Sequence, residues 1–130
     1  MIFPNVLITD DDRALRAALG EALERRGFRV TLAADGGEAL KIVQDEDIHL
    51  ALVDVHMPRV TGLDVLRRLH DDAMKIPLIL MSAAMDDEIA QEARRMDVYH
   101  LLTKPIRLTQ ICGLVRQGLR DVHGWTDQDS

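Results

Sequence analysis

The sequence predicts a doubly wound α/β domain, in which helices cover both faces of an open parallel β-sheet. Short apolar runs alternate with longer amphipathic stretches five times along the chain. This alternation indicates parallel strands joined by right-handed helical crossovers. Several of the runs are apolar at every position, which is typical of strands buried on both faces. The predicted strands are residues 6–8, 30–32, 50–53, 78–81 and 101–102.

Each predicted strand is followed by a segment with apolar residues at helical spacing. In the first segment, Asp11 or Asp12 can cap the start and Gly27 can end the helix. The second segment is a weaker pattern over residues 38–44. The later segments carry the apolar faces Leu63, Leu66 and Leu69; Ile89, Ala90, Ala93 and Met96; and Leu108, Ile111, Cys112, Val115, Leu119 and Val122.

The composition fits a single domain with a substantial core, because the chain has 130 residues and 47% of them are hydrophobic. Its net charge of −6 argues against nucleic-acid binding by this domain and gives no reason to expect attachment to an anionic membrane. One cysteine, Cys112, rules out an intrachain disulfide. Neither a signal peptide nor a membrane-spanning run is recognisable. We therefore expect a cytoplasmic protein with one domain over residues 1–123 and a polar tail over residues 124–130.

Polar and charged residues directly follow four of the five predicted strands. Because ligands bind beyond the carboxyl ends of the strands in an open parallel sheet, these residues are candidates for a single site. They are Asp10, Asp11 and Asp12 after the first strand, Asp54 after the third, Ser82 after the fourth, and Thr103 and Lys104 after the fifth.

The chemistry of this set favours a divalent cation together with a phosphoryl group. Clustered carboxylates repel one another, and a hard cation relieves that repulsion. Oxygen ligands that leave space for water and phosphate suit Mg²⁺. Lys104 has no role as a metal ligand, but its charge would pair with a phosphoryl group, to which the Ser82 hydroxyl could donate. An aspartate such as Asp54 can act as a nucleophile that forms an acyl phosphate.

Each of these residues also has an ordinary structural explanation. Asp12 could simply cap the first helix, Asp54 could be a turn residue and Ser82 could be an N-cap. Lys104 alone could be a solvated surface charge. Three consecutive acids exceed what capping needs, so the combination favours a functional site. The five histidines show no metal-ligand spacing, and we interpret their side chains as non-ligating.

Four motifs along the chain resemble, in order and spacing, those of the receiver domain of two-component response regulators, the chemotaxis receivers included. They are the acidic pair Asp10–Asp11, the segment from Asp54 to Gly62, Ser82 between Met81 and Ala83, and Lys104–Pro105. The resemblance covers nearly the whole chain. It implies a single flavodoxin-like (βα)5 domain with the strand order 2-1-3-4-5.

The resemblance also implies roles for individual residues. Asp54 corresponds to the phosphoacceptor, and an X-Pro bond such as that before Pro105 is expected to be cis. The implied ligands of Mg²⁺ are Asp10, Asp11, Asp54 and the backbone carbonyl of His56. The residues that would contact the phosphoryl group are Ser82 and Lys104.

Two positions depart from the family pattern. Leu101 occupies the place of the family's switch aromatic, three residues before the lysine, so a repacking leucine would replace a rotating ring. Tyr99 lies two residues earlier, and strand alternation puts it on the face of Leu101 unless it lies outside the strand. The glycine common before the last strand corresponds to Asp97, and aspartate tolerates a left-handed backbone.

The resemblance implies a signalling switch rather than an enzyme. A sensor histidine kinase or a histidine phosphotransfer protein would donate the phosphoryl group. The phosphorylated domain would then act on a protein target, form a homodimer or pass the phosphoryl group onward in a phosphorelay, without a DNA-binding output module.

Three alternatives compete with this interpretation. A phosphorylation-independent interaction module could use the same fold. An aspartyl phosphatase of the haloacid dehalogenase type would need a second acid where His56 stands. A flavodoxin-like cofactor binder would bring a phosphate against Asp10–Asp12, which would repel it.

Overall fold

A computed structural model describes residues 3–126, within which five strands and five helices alternate strictly. The strands are β1 (Asn5–Thr9), β2 (Arg29–Ala33), β3 (Leu50–Asp54), β4 (Leu78–Ser82) and β5 (His100–Thr103). The helices are α1 (Arg13–Glu24), α2 (Gly36–Asp45), α3 (Gly62–Asp71), α4 (Asp87–Arg95) and α5 (Leu108–His123). Neighbouring strands pair in parallel in the order β2-β1-β3-β4-β5. The predicted fold class and the implied strand order are both confirmed.

The three central strands explain the continuous apolar runs of the sequence. β1, β3 and β4 are buried at every position, because helices cover the sheet on both sides. α2, α3 and α4 pack on one side, against Leu7, Val53 and Leu80. α1 and α5 pack on the other side, against Ile8 and Leu52. Successive residues of one strand therefore enter different cores.

α2 begins two residues before the predicted segment, at Gly36. Asp35 caps the helix, and its side chain accepts a 2.8 Å hydrogen bond from the Glu38 N–H. A Cβ atom on Gly36 would collide with the Val60 backbone. Glycine at this position therefore lets the start of α2 approach the loop between β3 and α3, although glycine usually marks a helix end in sequence patterns.

Tyr99 lies immediately before β5 rather than within it. Its ring packs on the α1 and α5 side of the sheet, and its hydroxyl donates a 2.7 Å hydrogen bond to Asp121 on α5. Leu101 packs on the opposite side, with the core beneath α2, α3 and α4. The two side chains do not share a face, because Tyr99 is outside the strand and alternation applies only within it.

The turn between α4 and β5 contains the left-handed residue expected there. Asp97 has a φ of 57°, a conformation that aspartate tolerates better than most residues. Its carboxylate lies 3.3 Å from Nδ1 of His70, on α3. Asp97 therefore replaces the family's glycine without disturbing the turn.

Packing continues beyond α5 into the predicted polar tail. Gly124 ends the helix in the left-handed conformation, with a φ of 67°, and the ring centroid of Trp125 lies 5.4 Å from that of Phe28. Residues 127–130 of that tail lie outside the described residues. Within residues 3–126, no helix combines the length and the hydropathy needed to span a bilayer.

Candidate functional site

Three carboxylates meet at the carboxyl edge of the sheet. β1 and β3 are neighbours, with Thr9 paired to Val53, so Asp10 and Asp54 follow these residues at adjacent strand ends. One side-chain oxygen from each of Asp10, Asp11 and Asp54 lies within 4.8 Å of the other two. Asp10 and Asp54 are buried and Asp11 is exposed. The structure thus brings together the three acids that the sequence suggested as metal ligands.

The turn after β1 is held by hydrogen bonds to Asp10 and Asp12. Asp12 caps α1, and its Oδ1 accepts hydrogen bonds from the Ala14 N–H at 3.1 Å and the Leu15 N–H at 3.2 Å. The Asp12 N–H donates to Asp10 Oδ1 at 2.8 Å, and Nη1 of Arg16 donates to the Asp10 carbonyl at 2.6 Å. The capping explanation is therefore confirmed for Asp12, while Asp10 is oriented by its neighbours.

Lys104 reaches the carboxylates from the end of β5. Its Nζ lies 2.9 Å from Asp10 Oδ2 and 3.3 Å from Asp54 Oδ2. The Lys104 N–H donates a 2.8 Å hydrogen bond to the Ser82 carbonyl, and the Lys104–Pro105 peptide is cis, as the resemblance implies. Lys104 is therefore part of the acidic cluster, not a solvated surface charge.

Burial and charge shift the pKa values of two groups in this cluster. Burial, and then the charge of Asp10, raise the pKa of Asp54, while Lys104 partly offsets this. Burial acts to lower the pKa of Lys104, but its hydrogen bond to Asp10 and the charges of Asp10 and Asp54 raise it overall. Burial is thus the main cause for Asp54, whereas the raised pKa of Lys104 reflects the two carboxylates beside it.

The donor set fits a hard divalent cation. Three carboxylates and one ammonium leave two uncompensated negative charges when all are ionised. The available side-chain ligands are all oxygens, which Mg²⁺ and Ca²⁺ prefer. A divalent cation would therefore balance the two negative charges that Lys104 does not neutralise.

Ser82 lies beside this cluster at the end of β4 and is completely buried. Its Oγ accepts a 3.0 Å hydrogen bond from the Ala84 N–H and lies 2.9 Å from Nε2 of His56. The His56 N–H in turn donates to Asp54 Oδ1 at 3.2 Å. The sequence had assigned His56 only a backbone role, so this side-chain contact was missed. Its position two residues after Asp54, on the strand edge that also carries Ser82, is the signal that could have found it.

The loop after Asp54 returns so closely to β3 that α3 has to begin with glycine. The Gly62 N–H donates to the Val55 carbonyl at 3.0 Å, and a Cβ atom on Gly62 would collide with the Asp54 backbone. A capping box between Thr61 and Asp64 stabilises the first turn of α3. Gly62 therefore helps to position the backbone of Asp54.

The remaining predicted positions lie in β5, next to β4. Leu101 pairs in register with Leu80, and Thr103 pairs with Ser82. Leu101 is half-buried and packs against the core beneath α2, α3 and α4, whereas Thr103 is exposed. The position of the family's switch aromatic is thus filled by an apolar side chain within the sheet.

Comparison with known sequences connects this site to a family. Residues 6–116 match the sequence model of the response regulator receiver domain. The response regulator MprA of Mycolicibacterium vanbaalenii is 33% identical over 117 residues, which cover 88% of this chain and 50% of that protein. The chain thus spans about half the length of the curated relatives it matches.

Solved structures show the same fold. The CheY-like receiver domain protein from Methanospirillum hungatei JF-1 superposes with a TM-score of 0.91 at 24% identity, covering 95% of this chain and 98% of that one. A response regulator from Burkholderia pseudomallei, solved with a phosphorylated aspartic acid, a calcium ion and citrate, has a TM-score of 0.80 at 26% identity, covering 93% of this chain and 71% of that one. The chain belongs to the response regulator receiver domain family of two-component signalling systems.

Proposed function

We propose that Asp54 accepts a phosphoryl group from a phosphohistidine, in a Mg²⁺-dependent reaction that switches a partner-binding surface. The donor is a sensor histidine kinase or a histidine phosphotransfer protein. One observation carries the proposal. The carboxylates of Asp10, Asp11 and Asp54 converge within 4.8 Å, and the Lys104 ammonium lies against two of them. This arrangement suits a phosphoryl group and a metal bound side by side.

Asp54 is the nucleophile in this reaction. One of its carboxylate oxygens forms a bond to phosphorus as the P–N bond to the donor histidine breaks, which leaves an acyl phosphate on Asp54. The carboxylate has to be ionised to attack. Lys104, at 3.3 Å, favours the ionised form and opposes the effect of burial on the Asp54 pKa.

Asp10, Asp11, Asp54 and the backbone carbonyl of His56 would hold Mg²⁺. When bound, the ion neutralises charge that builds up on the phosphoryl oxygens during transfer. Lys104 would pair with another phosphoryl oxygen, and the Ser82 hydroxyl would donate to a third. The Burkholderia pseudomallei relative, with its phosphorylated aspartic acid and calcium ion, supports this arrangement.

Phosphorylation would then bias a surface formed by α4, β5 and α5. Leu101 lies in β5, three residues before Lys104, and would repack where other family members rotate an aromatic ring. Leu108 and Val122 are exposed apolar side chains of α5, at 39% and 38%.

Intact-mass measurement with acetyl phosphate as a small phosphodonor tests the proposal. The wild-type protein should gain the mass of one phosphoryl group when Mg²⁺ is present and should show no gain without the metal. Asp54→Asn should show no gain, because its amide is not a nucleophile. Asp45→Asn, which changes an exposed aspartate at the end of α2, is the matched control and should behave like the wild type. A gain that persists without Mg²⁺ or in Asp54→Asn would refute the assignment.

A further inference from the structure

The imidazole of His56 and the hydroxyl of Ser82 form a contact for which the proposed phosphoryl transfer has no use. The His56 Nε2 atom lies 2.9 Å from the Ser82 Oγ atom. β3 and β4 are neighbours, with Asp54 paired to Met81, so both side chains come from adjacent strand ends. Ser82 is completely buried and His56 is exposed. The imidazole is therefore the solvent-side partner of a hydroxyl that lies beside the phosphoacceptor.

The other partner of Ser82 sets the direction of this hydrogen bond. The Ala84 N–H donates to the Ser82 Oγ at 3.0 Å, so the oxygen already accepts one hydrogen bond. The hydroxyl has a single proton to donate, and His56 Nε2 lies within hydrogen-bond distance to accept it. A buried donor without an acceptor is costly, so the arrangement that satisfies the hydroxyl has Ser82 donating to Nε2, with the ring proton of neutral His56 on Nδ1.

We propose that His56 is a positioning residue that retains the Ser82 hydroxyl proton until a phosphoryl group replaces the imidazole as its acceptor. This inference rests on the proposed function, because it concerns how Ser82 becomes available to a phosphoryl oxygen. One proton cannot make a full hydrogen bond to both acceptors. Phosphorylation therefore requires an exchange of acceptors at Ser82, and His56 opposes that exchange.

The exchange is favourable overall because the new acceptor is charged. Hydrogen bonds to ionised acceptors are roughly twice as strong as those between neutral groups. Loss of the hydrogen bond to imidazole still makes phosphorylation less favourable. A typical intramolecular hydrogen bond, compared with one to water, changes the equilibrium constant between its formed and broken states by roughly two- to tenfold. Without the imidazole, water would be the competitor, and a phosphoryl analogue should bind more tightly by about that factor.

A double-substitution cycle tests the role of His56. Calorimetry at saturating Mg²⁺ measures the affinity for beryllofluoride, a phosphoryl analogue, in the wild type, His56→Ala, Ser82→Ala and the double variant. His56→Ala should bind roughly two- to tenfold more tightly than the wild type. The same substitution in the Ser82→Ala background should have little effect. His70→Ala, which removes a histidine that contacts Asp97 instead, should match the wild type.

Three results of this cycle would overturn the proposal. The affinity of His56→Ala could be unchanged, or it could be weaker than that of the wild type. The gain in affinity caused by His56→Ala could also be equal with and without the Ser82 hydroxyl, which would show that His56 does not act through Ser82.

Nitrogen NMR of the His56 ring gives a second measurement that needs no substituted protein. When the His56 ring of the free protein has a single proton, that proton should be on Nδ1, and Nε2 should be hydrogen-bonded. The Nε2 shift should change when Mg²⁺ and beryllofluoride are added. A proton on Nε2 in the free protein would contradict the proposal.

The two proposals fail in different ways. If the wild type shows no Mg²⁺-dependent mass gain on Asp54, the proposed function fails. If the mass gain occurs but the substitution cycle shows no coupling between His56 and Ser82, only the positioning role of His56 fails.

Discussion

At the level of single residues, the charges around Asp54 connect the candidate function to stability. The carboxylates of Asp10 and Asp54 share a single ammonium, that of Lys104, at 2.9 Å and 3.3 Å. Two buried acids close together repel each other, and the fold keeps them there. A bound cation would remove that repulsion, so the charges that are unfavourable in the free domain would favour the binding of a metal ion.

Asp54→Asn should therefore stabilise the metal-free domain at neutral pH. Burial, followed by the charge of Asp10, raises the Asp54 pKa above 3.8. A group whose pKa is higher in the folded than in the unfolded state stabilises the fold fully at pH values below its unfolded-state pKa. That stabilisation is lost as the pH rises through its folded-state pKa. At neutral pH the ionised carboxylate is thus unfavourable, and its removal should raise the free energy of unfolding.

Urea unfolding with and without Mg²⁺ measures this effect. Mg²⁺ should stabilise the wild type, because the proposed carboxylate site forms only in the folded state, and should have a smaller effect on Asp54→Asn. Asp45→Asn should leave both the stability and its response to Mg²⁺ nearly unchanged. A lower free energy of unfolding for Asp54→Asn would contradict the electrostatic explanation.

At the level of strands and helices, the site depends on how closely α3 approaches the end of β3. The first residue of α3, Gly62, lies where a Cβ atom would collide with the Asp54 backbone. Because Asp54 is buried at the strand end, the backbone has little space to move. The position of α3 is thus coupled to the position of Asp54, the proposed phosphoacceptor.

Gly62→Ala should destabilise the domain by about 1–3 kcal/mol, as overpacking of a close contact usually does. It should also reduce the Mg²⁺-dependent mass gain with acetyl phosphate, because the Asp54 backbone has to shift. Gly113→Ala is the matched control, since Gly113 lies in α5 with no atom within 4 Å of a Cβ added there. That substitution should stabilise the domain by roughly 0.5–1 kcal/mol, the usual gain of alanine over glycine within a helix. Chemical denaturation of both variants measures their free energies of unfolding. Equal changes in the two variants would contradict the role given to Gly62.

Across the whole domain, a histidine pair joins elements at the end of the sheet opposite the candidate site. His49 precedes β3, and its Nδ1 accepts a 2.9 Å hydrogen bond from the Asn5 N–H at the start of β1. Nε2 of His123, the last residue of α5, lies 2.7 Å from the His49 carbonyl, and the two rings meet edge to face with centroids 5.6 Å apart. These contacts hold the end of α5 against the sheet.

This pair should make the domain less stable in mild acid. Burial, and then the charges of His123 and Arg29, lower the pKa of His49, while Asp47 acts in the opposite direction. Since the unfolded chain takes up the proton first, stability should fall as the pH drops below 6.5, the usual pKa of histidine. Protonation at Nδ1 would also remove the acceptor of the Asn5 N–H.

The free energy of unfolding, measured by urea denaturation from neutral to mildly acidic pH, tests this prediction. His49→Gln should flatten the decline. His100→Gln, which changes an exposed histidine on β5, should keep the wild-type profile. An identical decline in all three proteins would show that His49 does not cause it.

The amino-acid sequence alone was sufficient for the fold class and for most residues of the candidate site. A strand buried on both faces excludes polar residues, so the apolar runs locate β1, β3 and β4 from local information. Asp10, Asp54, Ser82 and Lys104 were predictable because residues that follow parallel strands share one edge of the sheet. The strand order came from the family resemblance, since periodicity contains no information about which strands are neighbours.

The contacts between these residues could be identified only from the folded structure, not from the sequence. Lys104 binds Asp10 and Asp54 across the sheet edge, and the side chain of His56 reaches Ser82. Tyr99 packs opposite the side expected from strand alternation. The physical reason is that periodicity specifies side-chain direction only inside regular helices and strands, while the decisive side chains belong to residues at or beyond strand ends. Their directions depend on neighbouring strands and on close backbone approaches, such as that of Gly62 to Asp54, which exist only once the sheet has formed.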